Sequence, residues 1–312
     1  MVERGLKSIA AAREERSVRR FGKPTTLFWM LLLGGVSVAL LVAYVTSSRE
    51  LEASRSALLS KQRAAAETIG KEWFPLRDQV ERVALEAAMD PYPGDMIAKE
   101  AASWDFRALP GLYLRLRTAQ ARDAAALRRA AASSQKDGFT ACLLRRNTPW
   151  SADAGAAKDH PWNLRQAYAS TRILTDEWLG EVKAAENDMR LRVFEQQYAR
   201  ARDTEIPLAI EIVKRAQFFL LVLDEDSDEA RTGPDGGAPT SEDLQLVLHP
   251  TRVFIVNLRT RELLARLRRS VEGQFFMAGE RAADPETQAA LRRQVNNCAL
   301  AQIVSSEISP AK

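Results

Sequence analysis

The residues most suggestive of chemistry are an acidic run, Asp224-Glu225-Asp226-Ser227-Asp228, directly after the apolar stretch FFLLVL at 218–223. Carboxylates alternating at a strand end could hold Mg²⁺ or Ca²⁺ through hard oxygen ligands, or make Asp224 a nucleophile in phosphoryl transfer. The pattern departs from both chemistries. Glu229 stands where a calcium loop needs its turn glycine, Asp235 where it needs a bidentate glutamate, and no lysine or second acid pair is marked for phosphotransfer. A solvated acidic loop running on into GPDGG (233–237) explains the same residues.

Histidine chemistry is limited to His160 and His249, each beside a proline, and no serine is marked as their partner. The sequence lacks G-x-S-x-G, H-E-x-x-H, C-x-x-C, a P-loop and G-x-G-x-x-G. It therefore names no catalytic residue, cofactor site or metal site, and a non-enzyme is the expectation. Cys142 and Cys298 both lie in apolar runs and form a candidate disulfide across a very long loop; two unpaired core thiols are the alternative. Arg145, Arg146, Trp150 and Trp162 form a candidate interaction surface, since arginine and tryptophan anchor protein partners or stack on sugars. Tryptophans pinning a long loop onto the core are the competing reading.

The strongest element is hydrophobic. Pro24 to Ser48 are 25 residues without a charge, and Thr26–Thr46 would span roughly 31 Å as a helix, enough for a hydrocarbon core of ~30 Å. Phe28 and Trp29 mark one end and Tyr44 the other, where amphipathic rings favour the headgroups. Seven basic residues against three acidic ones in 1–23 account for the whole net charge of +4. The positive-inside rule then puts a basic tail (1–25) in the cytoplasm, a transmembrane helix at 26–46 and everything beyond it outside. The rest of the chain is neutral and has no surplus for phosphates, so nucleic acid is not an expected partner. The apolar stretch exceeds a cleavable leader and lacks an A-x-A site, which favours a retained anchor. Gly35, Ala39 and Ala43 make a small-xxx-small ladder, a candidate transmembrane dimer face. Thirty-five arginines to ten lysines and abundant alanine are the bias of GC-rich bacterial genes, so a bacterial inner membrane and a periplasmic head are expected.

Residues 47–104 read as a helical stalk and linker. Leu51, Leu58, Ala65 and Ile69 allow a short coiled coil, Pro75 should end or kink the helix, a second helix should cover 76–89, and DPYPGD (90–95) should separate stalk from head. The head, 105–312, reads as α+β (mixed α/β allowed) with four or five strands packed by helices. Strands are expected at 111–117, 138–146, 217–224, 244–249 and 252–258, with a mobile acidic and glycine-rich loop at 225–242. Residues 259–273 fit a hairpin partner slightly better than a helix, and Asp284-Pro285-Glu286 opens a last helix over 285–307. In layout alone the chain is similar to bitopic components of bacterial envelope machines, such as the periplasmic scaffolds of pilus and secretion systems. That likeness implies an envelope-protein partner; a ligand-sensing head and a tethered metal-dependent enzyme using Asp224 and Asp226 are the alternatives.

Overall fold

The computed structural model describes residues 26–104, 109–134, 137–143, 161–227, 238–272 and 284–308. Helix α1, Thr26–Met89, is one element of 64 residues and runs straight on through Pro75. Its first part carries an apolar stretch long enough by length and composition to cross a bilayer, with its side chains exposed. Its second part enters the core: Leu58, Ala65, Trp73, Val80 and Ala84 are all buried. Tertiary cover therefore overrides the helix-ending tendency of Pro75. The residues expected as a free stalk are, from Leu58 on, a structural helix of the head.

After α1 come β1 (Met96–Ile97), β2 (Gly111–Arg117), α2 (Ala124–Ser133), α3 (Phe139–Leu143) and β3 (Trp162–Asn163). Four helices follow: α4 (Arg165–Thr171), α5 (Asp176–Lys183), α6 (Asp188–Arg200) and α7 (Ile206–Arg215). The chain closes with β4 (Phe218–Asp224), α8 (Ser241–Leu244), β5 (Pro250–Asn257), β6 (Leu263–Ser270) and α9 (Pro285–Ile308). The strands form one six-stranded sheet, ordered β1-β6-β5-β4-β2-β3, in which β3, β2 and β4 are parallel and β4, β5, β6 and β1 antiparallel.

Both faces of the sheet are covered. In β4, Phe219, Leu221 and Leu223 point to α1, α2 and α4–α7, while Phe218, Leu220 and Val222 point to α3 and α9. Such two-sided burial explains why FFLLVL shows no polar alternation. Gly111 lets β2 approach β4, because a Cβ there would lie 2.2 Å from the Phe218 ring.

Helices packed with one mixed sheet fit the allowed α/β form of the expected class. The sheet has six strands where four or five were expected, because the short strands β1 and β3 add to its edges. Residues 111–117, 217–224, 252–258, the hairpin partner and the last helix lie where the sequence puts them. Two strands do not. Within 138–146, Phe139–Leu143 is helix α3, with Phe139 and Leu143 buried in the layer of α9. LQLVLH (244–249) instead begins with the last residue of the short helix α8 and forms no strand, because a capping box of Thr240 with Asp243 starts a helix and Gln245 turns inward. The turn at 90–95 is pinned rather than loose: Arg266 donates to Asp90 Oδ2 at 2.8 Å and to the Gly94 carbonyl at 2.9 Å, and Arg252 and Arg266 stack on Tyr92.

Candidate functional site

The parallel strands β2 and β4 end side by side, with Arg117 in register with Asp224. The chain leaves β2 toward β3 and leaves β4 toward β5, so these carboxyl ends form a switch point of the kind where open α/β sheets place ligands. Asp224 and Arg115 both face the α9 side here, and the two are almost sealed from solvent, at 0% and 5% exposure.

Arg115 grips Asp224 with two parallel bonds, Nε to Oδ2 at 2.9 Å and a terminal nitrogen to Oδ1 at 2.8 Å. His249 Nε2 lies 3.0 Å from Oδ1, Thr251 donates to Oδ1 at 3.2 Å, and Ser241 donates to Oδ2. The other arm of Arg115 reaches Asn297 Oδ1 and lies 3.4 Å from Asp137 Oδ2, which also accepts from the Tyr113 hydroxyl. Asn297 in turn donates to Gln245 Oε1 at 2.9 Å, and Asn296 to the Gln245 carbonyl at 2.8 Å. One connected set of hydrogen bonds thus ties β2, β4, β5, α8 and α9 together. A void of about 10 Å³ beside Arg115, His249 and Asn297 has room for about one water.

Electrostatics follow from this enclosure. Burial pushes the Asp224 carboxyl up, but the Arg115 guanidinium and the His249 contact outweigh it and hold the carboxyl well below its usual range. Asp137 goes the other way: burial raises it, and Arg115 at the longer distance only partly offsets that. Burial also costs Arg115, yet Asp224 more than compensates and keeps the guanidinium charged.

No protein-family model matches the chain, and no curated protein or solved structure is significantly similar to it. What the site can do rests on its own geometry.

The acidic run is divided among arginines. Asp224 takes Arg115, Glu225 takes Arg252 and Arg268, and Asp226 takes Arg117. Both oxygens of Asp224 are occupied, and among the described residues no group of three His, Cys, Asp or Glu side chains converges as a metal site. The expected mobile loop begins and ends in fixed contacts, with Ser227 donating to the Leu248 carbonyl at 3.1 Å and Thr240 capping α8; residues 228–237 lie outside the described residues. His249 and Ser241 both face Asp224, while His249 Nδ1 faces the Val247 carbonyl at 3.0 Å. A serine nucleophile needs the imidazole between itself and the acid; here the acid stands between them.

Sulfurs of Cys142 on α3 and Cys298 on α9 are joined, with their Cα atoms 5.0 Å apart and a sequence separation of 156. Trp162 is not a surface residue: it is 9% exposed in the core and its indole donates to Gln166 Oε1 at 3.0 Å, because β3 lies under the helical layer. Its suggested companions Arg145, Arg146 and Trp150, and also His160, lie outside the described residues. Gly35, Ala39 and Ala43 fall on one exposed face of α1. The sequence reading missed Arg115, Ser241, Thr251, Asn296 and Asn297. Arg115 carried a signal, as a charge on the face of β2 that Tyr113 makes apolar; the two asparagines in the middle of a helical stripe carried another.

Beside α1 an open groove of about 790 Å³ runs over the β5–β6 end of the sheet, walled by Asp78, Arg82 and Glu86 and floored by Phe254, Val256 and Leu263.

Proposed function

We propose that this protein is a single-pass membrane protein of the bacterial envelope whose extracytoplasmic head is a non-enzymatic protein-binding or scaffold module. The observation that carries the reading is the continuity of α1, whose apolar stretch and whose buried residues Leu58 to Ala87 belong to one helix. A head built around the extension of its own anchor is held at fixed height and orientation over the bilayer. That suits a protein that positions others and does not suit a loosely tethered enzyme. The neutralised acidic run supports the same reading, since its carboxylates brace strands. The basic tail orients the head outward, into the periplasm.

In-cell crosslinking of the full-length protein, followed by mass spectrometry of native membranes, tests this. A stoichiometric membrane or periplasmic protein is the expected product. Recovery of the protein alone under crosslinking that captures known envelope complexes would overturn the scaffold role.

A further inference from the structure

The groove beside α1 has the length and chemistry of a seat for a helix. Its α1 wall runs from Phe74 to Asp90, sixteen residues, or ~24 Å along the axis. A compact small molecule would leave most of that length open. The floor is made of side chains, Phe254 and Val256 on β5 and Leu263 on β6. No strand edge is offered there, because β5 lies between β4 and β6, and β1 takes the edge of β6 at Ala265 and Arg266. An extended peptide would find no backbone ladder to join. A helix satisfies its own backbone and needs only an apolar face.

The charges on the α1 wall say which helix fits. Asp78, Arg82 and Glu86 are four residues apart, stacked on one face, and all exposed. Arg82 and Glu86 pair with no other described residue, and Asp78 stays half-exposed beside Arg77. Of the other charges lining the groove, Asp90 is held by Arg266 and Arg261 stands exposed on the opposite wall. A negative–positive–negative row is matched by basic–acidic–basic at the same spacing, whichever way the second helix runs, because the pattern is a palindrome. A second copy does not match it. Two copies in one membrane share an axis along its normal, which sets Arg82 level with Arg82 and Asp78 with Asp78. Lipid is out of reach, since Phe74 lies 28 residues past Thr46, ~42 Å along α1. We propose that the groove seats an amphipathic helix of an extracytoplasmic partner protein, its apolar face on Val83 and Leu263 and a basic–acidic–basic row against Asp78, Arg82 and Glu86. This rests on the reading of the head as a protein-binding module outside the membrane.

The test uses the full-length protein in cells, with the photoreactive residue p-benzoylphenylalanine replacing Val83, Arg261, Met189 or Leu208 in turn. The last two are controls, 80% and 55% exposed away from the groove. Irradiation should join one and the same protein at 83 and at 261. Mass spectrometry of the crosslinked peptide should find an apolar stripe flanked by an acidic residue with a basic one four positions to each side. Arg82→Glu, an exposed change that should leave melting unaltered, should cut the yield at 83 several-fold. Reversing the acidic residue of the partner to lysine should restore it. A peptide without that row, or a yield indifferent to Arg82→Glu, overturns the proposal. A protein joined at 189 or 208 but not at 83 or 261 also overturns it and leaves the protein-binding reading standing. Capture of this same chain at 83 assigns the groove to a second copy and overturns it too. No protein joined at any of the four positions overturns both readings.

Discussion

Asp224 and Asp226 are two residues apart and look equivalent in the sequence, yet their energetics differ by position. Asp224 is a fully buried carboxylate gripped by a bidentate guanidinium, whereas Asp226 is more than half exposed beside Arg117. Removing one partner of a buried pair strands the other charge and costs about 3–5 kcal/mol. A surface pair contributes about 0–1 kcal/mol. Asp224→Asn should therefore lower the urea midpoint of the full-length protein in micelles severely, and Asp226→Asn barely; equal effects would refute the keystone role of Asp224. The acid dependence has a definite sign. Because the folded state holds Asp224 below its ordinary value, its stabilisation is complete above an unfolded value of about 4 and is lost as pH falls toward the folded one. Asp137 is raised, so its own contribution runs the opposite way and fades as pH rises. The stability gap between the parent and Asp224→Asn should thus stay flat from pH 7 to about pH 5 and narrow as pH falls below about 4 in parallel urea titrations. A constant gap would mean that the charge of Asp224 is not what stabilises the fold.

At the scale of elements, the legible parts are those whose local pattern agrees with their packing. FFLLVL reads as a central strand because both its faces are buried, and the β-branched run RVFIVN (252–257) pairs beside it for the same reason. The illegible parts are decided by partners distant in sequence. FTACL is as apolar as a strand, but its role is to lie on α9, 150 residues further on, so it coils to present Phe139 and Leu143 together. LQLVLH alternates, yet Gln245 and His249 are drawn to the Arg115–Asp224 pair and break the ladder there. The convergence of the polar site could not be read for the same reason: Asp224 and His249 stood out singly, but the members come from β2, β4, α8, β5 and α9 and share no spacing. The α3–α9 contact yields the next prediction. A Cys142–Cys298 bridge closes a loop of 156 residues and stabilises by about 5 kcal/mol in the chain-entropy model. Neither thiol should alkylate in denatured, unreduced protein, and Cys142→Ser with Cys298→Ser should reproduce the melting of the reduced parent. Alkylation of both thiols without reductant would exclude the bridge.

For the whole molecule, the decisive feature is how far down α1 the packed head extends. DPYPGD suggested a boundary between stalk and head near residue 95; α1 before it already packs on the core, with Leu51 partly buried and Leu58 buried. The reason is combinatorial: α2 and α4–α7 need a long helix to close over, and α1 supplies Leu58, Ala65, Trp73, Val80 and Ala84 in one stripe. It also supplies polar ties, with Gln62 donating to the Ile173 carbonyl at 3.0 Å and the Tyr198 hydroxyl donating to the Lys61 carbonyl at 2.9 Å. A fragment starting at residue 47 should accordingly be water-soluble and melt cooperatively by circular dichroism. One starting at residue 71 loses Leu58 and Ala65 and takes away the partners of the Ile173 carbonyl and the Tyr198 hydroxyl. Burial of a leucine side chain alone is worth about 1.5–3 kcal/mol, and each lost hydrogen bond about 0.5–1.5 kcal/mol. The shorter fragment should therefore expose α4–α7 to rapid proteolysis or fail to fold. If instead both fragments melted alike, the anchor would be an appendage, the head would be free to swivel on its linker, and the fixed height on which the scaffold reading depends would be lost.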